Sequence, residues 1–272
     1  MRIVVLIGSE ELQHRFVASS LAELDNVSIV IARHPRLALL KRIKGARKRF
    51  GLAVAISRVL LKLALRVSGE FSRRQADLAR VLGDPQFPEN AKVYKTVGVN
   101  SAETQSLLRK ISPDILCVYG TYIVSDATLS IAPVALNLHT GMSPRYRGAD
   151  CDFWPLYNRE LNWIGATVHT CTSDIDGGSI YRTEPAILEP SDEVGAVFGR
   201  CVIIGSALYK AVVQDLASLR EVKAIPQDLS VGREYRVAMR GWLAEIRVIR
   251  SISRGLIRDY VRNDQSLHPG AA

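Results

Sequence analysis

Residues 1–32, MRIVVLIGSEELQHRFVASSLAELDNVSIVIA, carry the pattern that decides the fold class. Ile3 to Ile7 is an unbroken apolar run rich in β-branched side chains, as in a parallel strand covered on both faces, and it predicts a strand over residues 2–7. Leu12, Phe16, Val17, Leu21 and Leu24 follow at helical spacing, and Val27 to Ala32 reads as a second strand. Strand, helix and strand in so short a span predict a parallel sheet with right-handed crossovers. Only Gly8 follows the first strand, where a dinucleotide fingerprint needs three glycines, and no P-loop sequence occurs. Nicotinamide and flavin cofactors are therefore not expected.

The chain has 272 residues, 47% hydrophobic and 23% charged, which allows a sizeable core and excludes a disordered protein. Its net charge of +9 is local: residues 31–75 hold thirteen Lys and Arg against Glu70, and the rest of the chain sums to −3. A surface generally suited to nucleic acid is excluded, and a local basic patch stays open. Cys117, Cys151, Cys171 and Cys201 show no C-x-x-C spacing, so neither a disulfide scaffold nor a cysteine-rich zinc site is expected, and a reducing cytoplasm fits. The N-terminal apolar run is short and followed by acids, which reads as a strand and not as a signal peptide. Leu52 to Val67 is interrupted by Arg58, Lys62 and Arg66, and no membrane-spanning segment is expected.

Residues 34–75 break the alternation as a basic, helical insertion interrupted at Gly51, with Arg58, Lys62 and Arg66 on one helix face. Strands resume at 93–96, 115–118 and 135–138. A capping box of Asn100 and Glu103 opens a helix between the first two, and a helical turn covers 124–130. A polar loop from Thr140 to about Asp152 holds Pro144, Arg145, Arg147 and Gly148. Strands over 165–171 and 178–188 are joined across SDIDGG, and Ser191 caps a helix running to about Leu219. Residues 237–262 read as one helix. Arg247, Arg250, Arg254, Arg258 and Arg262 form its stripe, and Leu243, Ile246, Ile249, Leu256 and Val261 its apolar side, docked on the core or on a second subunit. The expected organisation is a catalytic domain over 1–220 that includes the basic insertion, then a helical C-terminal extension over 221–272.

Asn137 and His139, two apart at the carboxyl end of a predicted parallel strand, point to the same side, where ligands of open α/β sheets bind. Asp176 lies in a D-I-D-G-G turn, with Asp174 as a rival carboxylate. An imidazole can accept a proton, a carboxylate can orient it, and an amide N–H can stabilise an oxyanion. No Ser or Cys stands in a nucleophile-elbow context, so the chemistry suggested is direct acyl transfer between bound substrates. No clustered metal-ligand set is seen, His139 and His169 lying on different strands, and no metal is expected.

ALNLHTGMSPRYRGADCDFWPLYN and IGATVHTCTSDIDGGSIY resemble the folate-dependent formyltransferases, a family that includes glycinamide ribonucleotide transformylase, methionyl-tRNA formyltransferase and the sugar N-formyltransferases. The match runs through Asn137-Leu-His139, Pro144, Gly148, Gly165-Ala-Thr167-Val-His169 and Asp176-Gly-Gly178. The resemblance implies a Rossmann-like α/β fold, a mostly parallel sheet with helices on both faces. It implies 10-formyltetrahydrofolate as formyl-donor co-substrate and a primary amine as acceptor. Asn137 would hold the oxyanion, His139 would accept the proton or polarise the carbonyl, and Asp176 would orient His139. Ile123 and Val124 would line one wall of the folate pocket, and Thr172, Ser173 and Asp174 the other.

Where the purine enzyme has a glycine-rich phosphate loop, this chain has Gly8-Ser9-Glu10-Glu11, and Tyr122 replaces an arginine, which disfavours a ribonucleotide acceptor. The tRNA enzyme carries a C-terminal barrel that the helical pattern after residue 220 does not fit, and the basic segment lacks interleaved aromatics for stacking bases. The resemblance favours a nucleotide-linked amino sugar, its diphosphate met by Arg145, Arg147 or the 34–75 segment. Alternatives are a formyltransferase acting on an amino acid, peptide or methionyl-tRNA, or a non-catalytic folate- or nucleotide-binding protein. No nucleic acid partner is expected, and a peripheral anionic membrane contact and a homodimer stay open.

Overall fold

The computed structural model describes residues 1–34, 51–218 and 222–267. In chain order the elements are β1 (Ile3–Ile7), α1 (Leu12–Leu21), β2 (Val27–Arg33), α2 (Leu52–Val67), α3 (Glu70–Leu82), β3 (Lys92–Val97), α4 (Ala102–Ile111), β4 (Ile115–Tyr119), α5 (Asp126–Leu129), β5 (Val134–His139), β6 (Tyr146–Gly148), α6 (Trp154–Asn158), β7 (Gly165–Thr170), β8 (Ile180–Pro185), α7 (Val194–Ala217), β9 (Arg233–Tyr235), α8 (Trp242–Ser253) and α9 (Leu256–Leu267). Seven strands form one sheet in the order β3-β2-β1-β4-β5-β7-β8. The first five run parallel; β7 and β8 are antiparallel.

The period of two along β1 distributes the core. Ile3, Val5 and Ile7 face one layer with α1, α3 and α7, while Val4 and Leu6 face another with Leu108 of α4 and Leu129 of α5. Helices on both faces explain the unbroken apolar run. By length and composition α7 could cross a membrane, yet Val197, Val202, Leu208 and Val212 are buried in the core. A third cluster gathers Tyr146, Phe153 and Trp154 with Val197 of α7, Tyr235 of β9 and Val248 of α8.

Local expectations shift in several places. Ser101, not Asn100, caps α4, its hydroxyl accepting from Thr104 N at 3.2 Å. The Asn100 amide instead donates to the Ile123 carbonyl (2.9 Å) and accepts from Ser125 N (2.8 Å), pinning the loop after β4. Ser191 does not cap α7; the buried Asp192 carboxylate accepts from Glu189 N at 2.8 Å and pairs with Arg200. The insertion continues past residue 75 as α3, and its first part, residues 35–50, lies outside the described residues. The extension is not wholly helical: β9 pairs in parallel with β6 before the helices begin. Residues 237–262 are not one helix, since the chain turns at Gly255 between α8 and α9. On α8, Ala244, Val248 and Ile252 are buried, whereas the expected core residues Leu243 and Ile246 are exposed.

Charge ties the insertion and the extension to the domain. Arg74 of α3 bonds Glu70 and the buried Glu245 of α8, each at 2.8 Å. Arg240 bonds Glu245 (2.7 Å) and Asp150 (2.8 Å) and lies 3.9 Å over the Phe153 ring. Burial would raise the Glu245 carboxyl, but Arg74 and Arg240 outweigh it and hold it below its ordinary value.

Tyr209 of α7 is fully buried, and its hydroxyl lies 2.8 Å from the Leu136 carbonyl and 3.2 Å from that of Val118. Tyr209→Phe leaves these strand carbonyls short of a donor in a dry interior, so stability falls by about 1–2 kcal/mol. Urea denaturation of the two chains reads the difference.

Candidate active site

The strand order reverses beside β1, because the chain moves outward through β2 and β3 and returns with β4 on the other side. Such a switch point opens a crevice at the carboxyl ends of the strands. A cavity of about 480 Å³ lies there, between residues 120–124 after β4 and residues 171–176 after β7. Ile123, Val124, Thr172, Ser173 and Asp174 all line it, as do Asn137, His139, His169 and Asp176.

Asn137 and His139 share one side of β5, and Leu138 between them is buried in the core. Register places Asn137 opposite His169 on β7, and His139 opposite Thr167. Every polar residue of the Gly165-x-Thr167-x-His169 motif then has work to do. The Thr167 hydroxyl donates to the Gly141 carbonyl (2.8 Å) and accepts from Ser143 N (3.0 Å), which holds the 140s loop over the site. His169 Nδ1 donates to the Thr170 carbonyl at 2.8 Å, leaving Nε2 to accept from Asn137 Nδ2 at 3.1 Å.

Asp176 closes the arrangement. Its Oδ1 lies 3.4 Å from Asn137 Nδ2 and 3.5 Å from His169 Nε2. Its Oδ2 accepts from the Gly148 amide at 2.8 Å and faces His139 Nδ1 at 3.3 Å. His139 Nε2 donates to the Tyr146 carbonyl at 3.0 Å. With acceptors at both nitrogens, the His139 ring satisfies both only while it carries two protons. Burial alone would raise the Asp176 carboxyl, but the His139 charge, the His169 ring and the Gly148 amide outweigh it and hold it at about 2.

Two glycines make this geometry reachable. Gly148 has φ +94°, and a Cβ there would stand 2.2 Å from the Tyr235 carbonyl oxygen of β9. A Cβ on Gly178 would stand 1.9 Å from the Thr170 carbonyl oxygen. The DGG sequence thus lets the loop fold tightly onto β7 and present Asp176, itself at φ 47°, to His139.

Asp174 lines the cavity wall but makes no contact with either imidazole among those described. The two imidazoles expected to lie apart are on adjacent strands and meet at one carboxylate, so their separation gives no argument against a metal. Among the described residues, no group of three or more His, Cys, Asp or Glu could hold a metal ion.

Arg145 and Arg147 do not line the cavity. Arg145 is forked on Glu160 (2.9 and 3.3 Å) and lies 5.6 Å over the Trp163 ring; Arg147 is buried and donates to the Leu229 carbonyl at 3.1 Å. Partners fifteen and eighty-two residues away hold them, which no local pattern shows. Glu10 is also not a bare charge: it is paired with Arg33, and with Lys95 at 2.9 Å.

Other residues of the site were not singled out from the sequence. His169 stood in the quoted motif, and its alternation with Thr167 was the available signal. Gln227, from the extension, donates to the Asp176 carbonyl at 2.9 Å and to that of Gly178. His14 also lines the cavity: its Nε2 donates to the Gly120 carbonyl (3.1 Å), its Nδ1 accepts from Ser9 Oγ (2.9 Å), and burial lowers its pKa.

The sequence family described as formyl transferase matches residues 1–213. The chain belongs to the formyl transferase family. It is 32% identical over 141 residues to methionyl-tRNA formyltransferase of Methylacidiphilum infernorum, an alignment covering 50% of this chain and 42% of that protein. The chain thus spans less than half the length of that curated relative. A sugar N-formyltransferase from Shewanella sp FDAARGOS_354 shares the fold at 14% identity and a TM-score of 0.55, over 92% of this chain and 88% of that one. An N-formyltransferase from Helicobacter canadensis, in complex with folinic acid and dTDP-3-aminofucose, shares it at 14% identity and a TM-score of 0.53, over 86% and 71%.

Because the Asp176 carboxyl is held below its ordinary 3.8, its partners add stability above that value and lose it as pH falls through about 2. Asp176→Asn therefore lowers the melting temperature more at pH 5 than at pH 3, as scanning calorimetry of both chains at both pH values tests.

Proposed function

We propose that the chain transfers a formyl group from 10-formyltetrahydrofolate to the primary amine of a nucleotide-linked amino sugar. The observation that carries this reading is the joining of Asn137, His139 and Asp176 at a cavity whose walls are the two segments expected to hold the folate. Its volume of about 480 Å³ suits a flat bicyclic ring with its polar edge against backbone groups.

The acceptor nitrogen attacks the formyl carbon through its lone pair, and a C–N bond to the acceptor forms. The bond from the formyl carbon to the folate nitrogen breaks, and the proton lost by the amine ends on that folate nitrogen. The products are a formamide and tetrahydrofolate. Negative charge builds on the formyl oxygen in between, and a positioned donor there lowers the barrier. His139, held by Asp176 at Nδ1, is suited to polarise that oxygen or to take the amine's proton on its way, exchanging its Nε2 contact with the Tyr146 carbonyl for it. Asn137 joins by releasing its 3.4 Å contact to Asp176, the longer of its two.

The sugar acceptor is supported by the extent of the fold likeness. The Shewanella enzyme covers 92% of this chain, more than residues 1–213 alone, so the likeness reaches into the extension that grips Asp176 through Gln227. A methionyl-tRNA acceptor is the second reading, favoured by the sequence relatives. Tetrahydrofolate release is measured with dTDP- and UDP-linked amino sugars and with methionyl-tRNA; release with the tRNA alone overturns the sugar reading. With the productive acceptor, His139→Ala and Asp176→Ala each lower turnover at least about a hundredfold, and Asp174→Ala does much less. Near wild-type turnover in Asp176→Ala would reject the assigned roles.

A further inference from the structure

We propose that the outward face of α2 docks on an anionic lipid bilayer. The helix is apolar on two opposite sides. One side holds it to the protein: Leu61 is buried, and Ala64 and Leu65 are half-buried. The other carries Ile56, Val59, Leu60, Leu63 and Val67, which follow one another as i, i+3, i+4, i+7 and i+11 and fall within an arc of about 100°. All five are exposed, from 51% for Ile56 and Leu60 to 79% for Val67. Phe71, at the start of α3, is also exposed (46%), with the Arg66 guanidinium 5.5 Å over its ring. Exposed apolar residues scattered singly are ordinary; a contiguous helical stripe marks a surface that meets something.

Charge identifies the occupant. Arg58, Lys62 and Arg66 run along one flank of the stripe, and residues 34–75 hold twelve Lys and Arg against Glu70. A second copy would bring an equally cationic segment onto the same face, which repulsion opposes. Residues 35–50 hold seven Lys and Arg and no acid, charge of the same sign. Anionic headgroups complement the flank while the apolar side chains enter the acyl boundary, as in helices that lie in a membrane interface. None of these side chains lines the active-site cavity, so docking and catalysis are separable.

The test is co-sedimentation of the full chain with vesicles of phosphatidylcholine alone, or with one third phosphatidylglycerol, at low and high salt, beside analytical ultracentrifugation without lipid. The chain is expected to bind the anionic vesicles, to bind the neutral ones at least tenfold more weakly, and to be released by salt. Leu60→Glu with Leu63→Glu, both at exposed positions, is expected to weaken vesicle binding at least tenfold with circular dichroism unchanged. Equal binding to neutral vesicles, or undiminished binding of the folded double variant, overturns the proposal. So does a dimer of the wild-type chain that the double variant dissolves, which assigns the stripe to a second copy.

Discussion

The Asp176 carboxylate is the point on which the site depends. One oxygen takes the Gly148 amide and faces His139; the other meets Asn137 and His169. Burying a carboxylate costs several kcal/mol unless it is paired and hydrogen-bonded, so each contact is required of the fold and not incidental to it. The chain of bonds also has a direction. Carbonyls of Thr170 and Tyr146 terminate it, each taking a donor, Nδ1 of His169 and Nε2 of His139.

Holding that carboxylate in place draws on distant parts of the chain. Gly148 can present its amide because β6 is held by β9, and Gln227 grips the backbone of the Asp176 loop. The loop that follows β6 is tied through Asp150 to Arg240, and Arg240 shares Glu245 with Arg74 of the insertion. The extension and the insertion are therefore connected to the active site by hydrogen bonds and buried charge, the extension from beyond the family match at residues 1–213. The cavity residues all lie inside that match, and the stretch beyond it adds contacts that brace them.

The elements were largely legible because they follow short periods. Apolar runs located β1, β2 and β4. Two of the local readings differ in the structure. Ser101 took the cap expected of Asn100 because Asn100 is committed to the loop after β4. Gly255 divides what a continuous arginine stripe suggested was one helix. Arg145 and Arg147, read as partners for a phosphate, bond Glu160 and the Leu229 carbonyl, engagements that no local pattern shows.

The sequence by itself determined the parallel sheet, the common side of Asn137 and His139, and the tight turn at Asp176-Gly-Gly, since each depends only on a residue's place within its own element. Tertiary structure decided what meets across elements. The β5–β7 register brought His169 against Asn137, and the left-handed backbone at Asp176 aimed that carboxylate, not Asp174, at His139. The physical reason is the range of the forces involved. Backbone hydrogen bonding and side-chain periodicity act over a few residues, whereas the pairing of a buried charge is settled only when strands and loops tens of residues apart are packed within 3–4 Å.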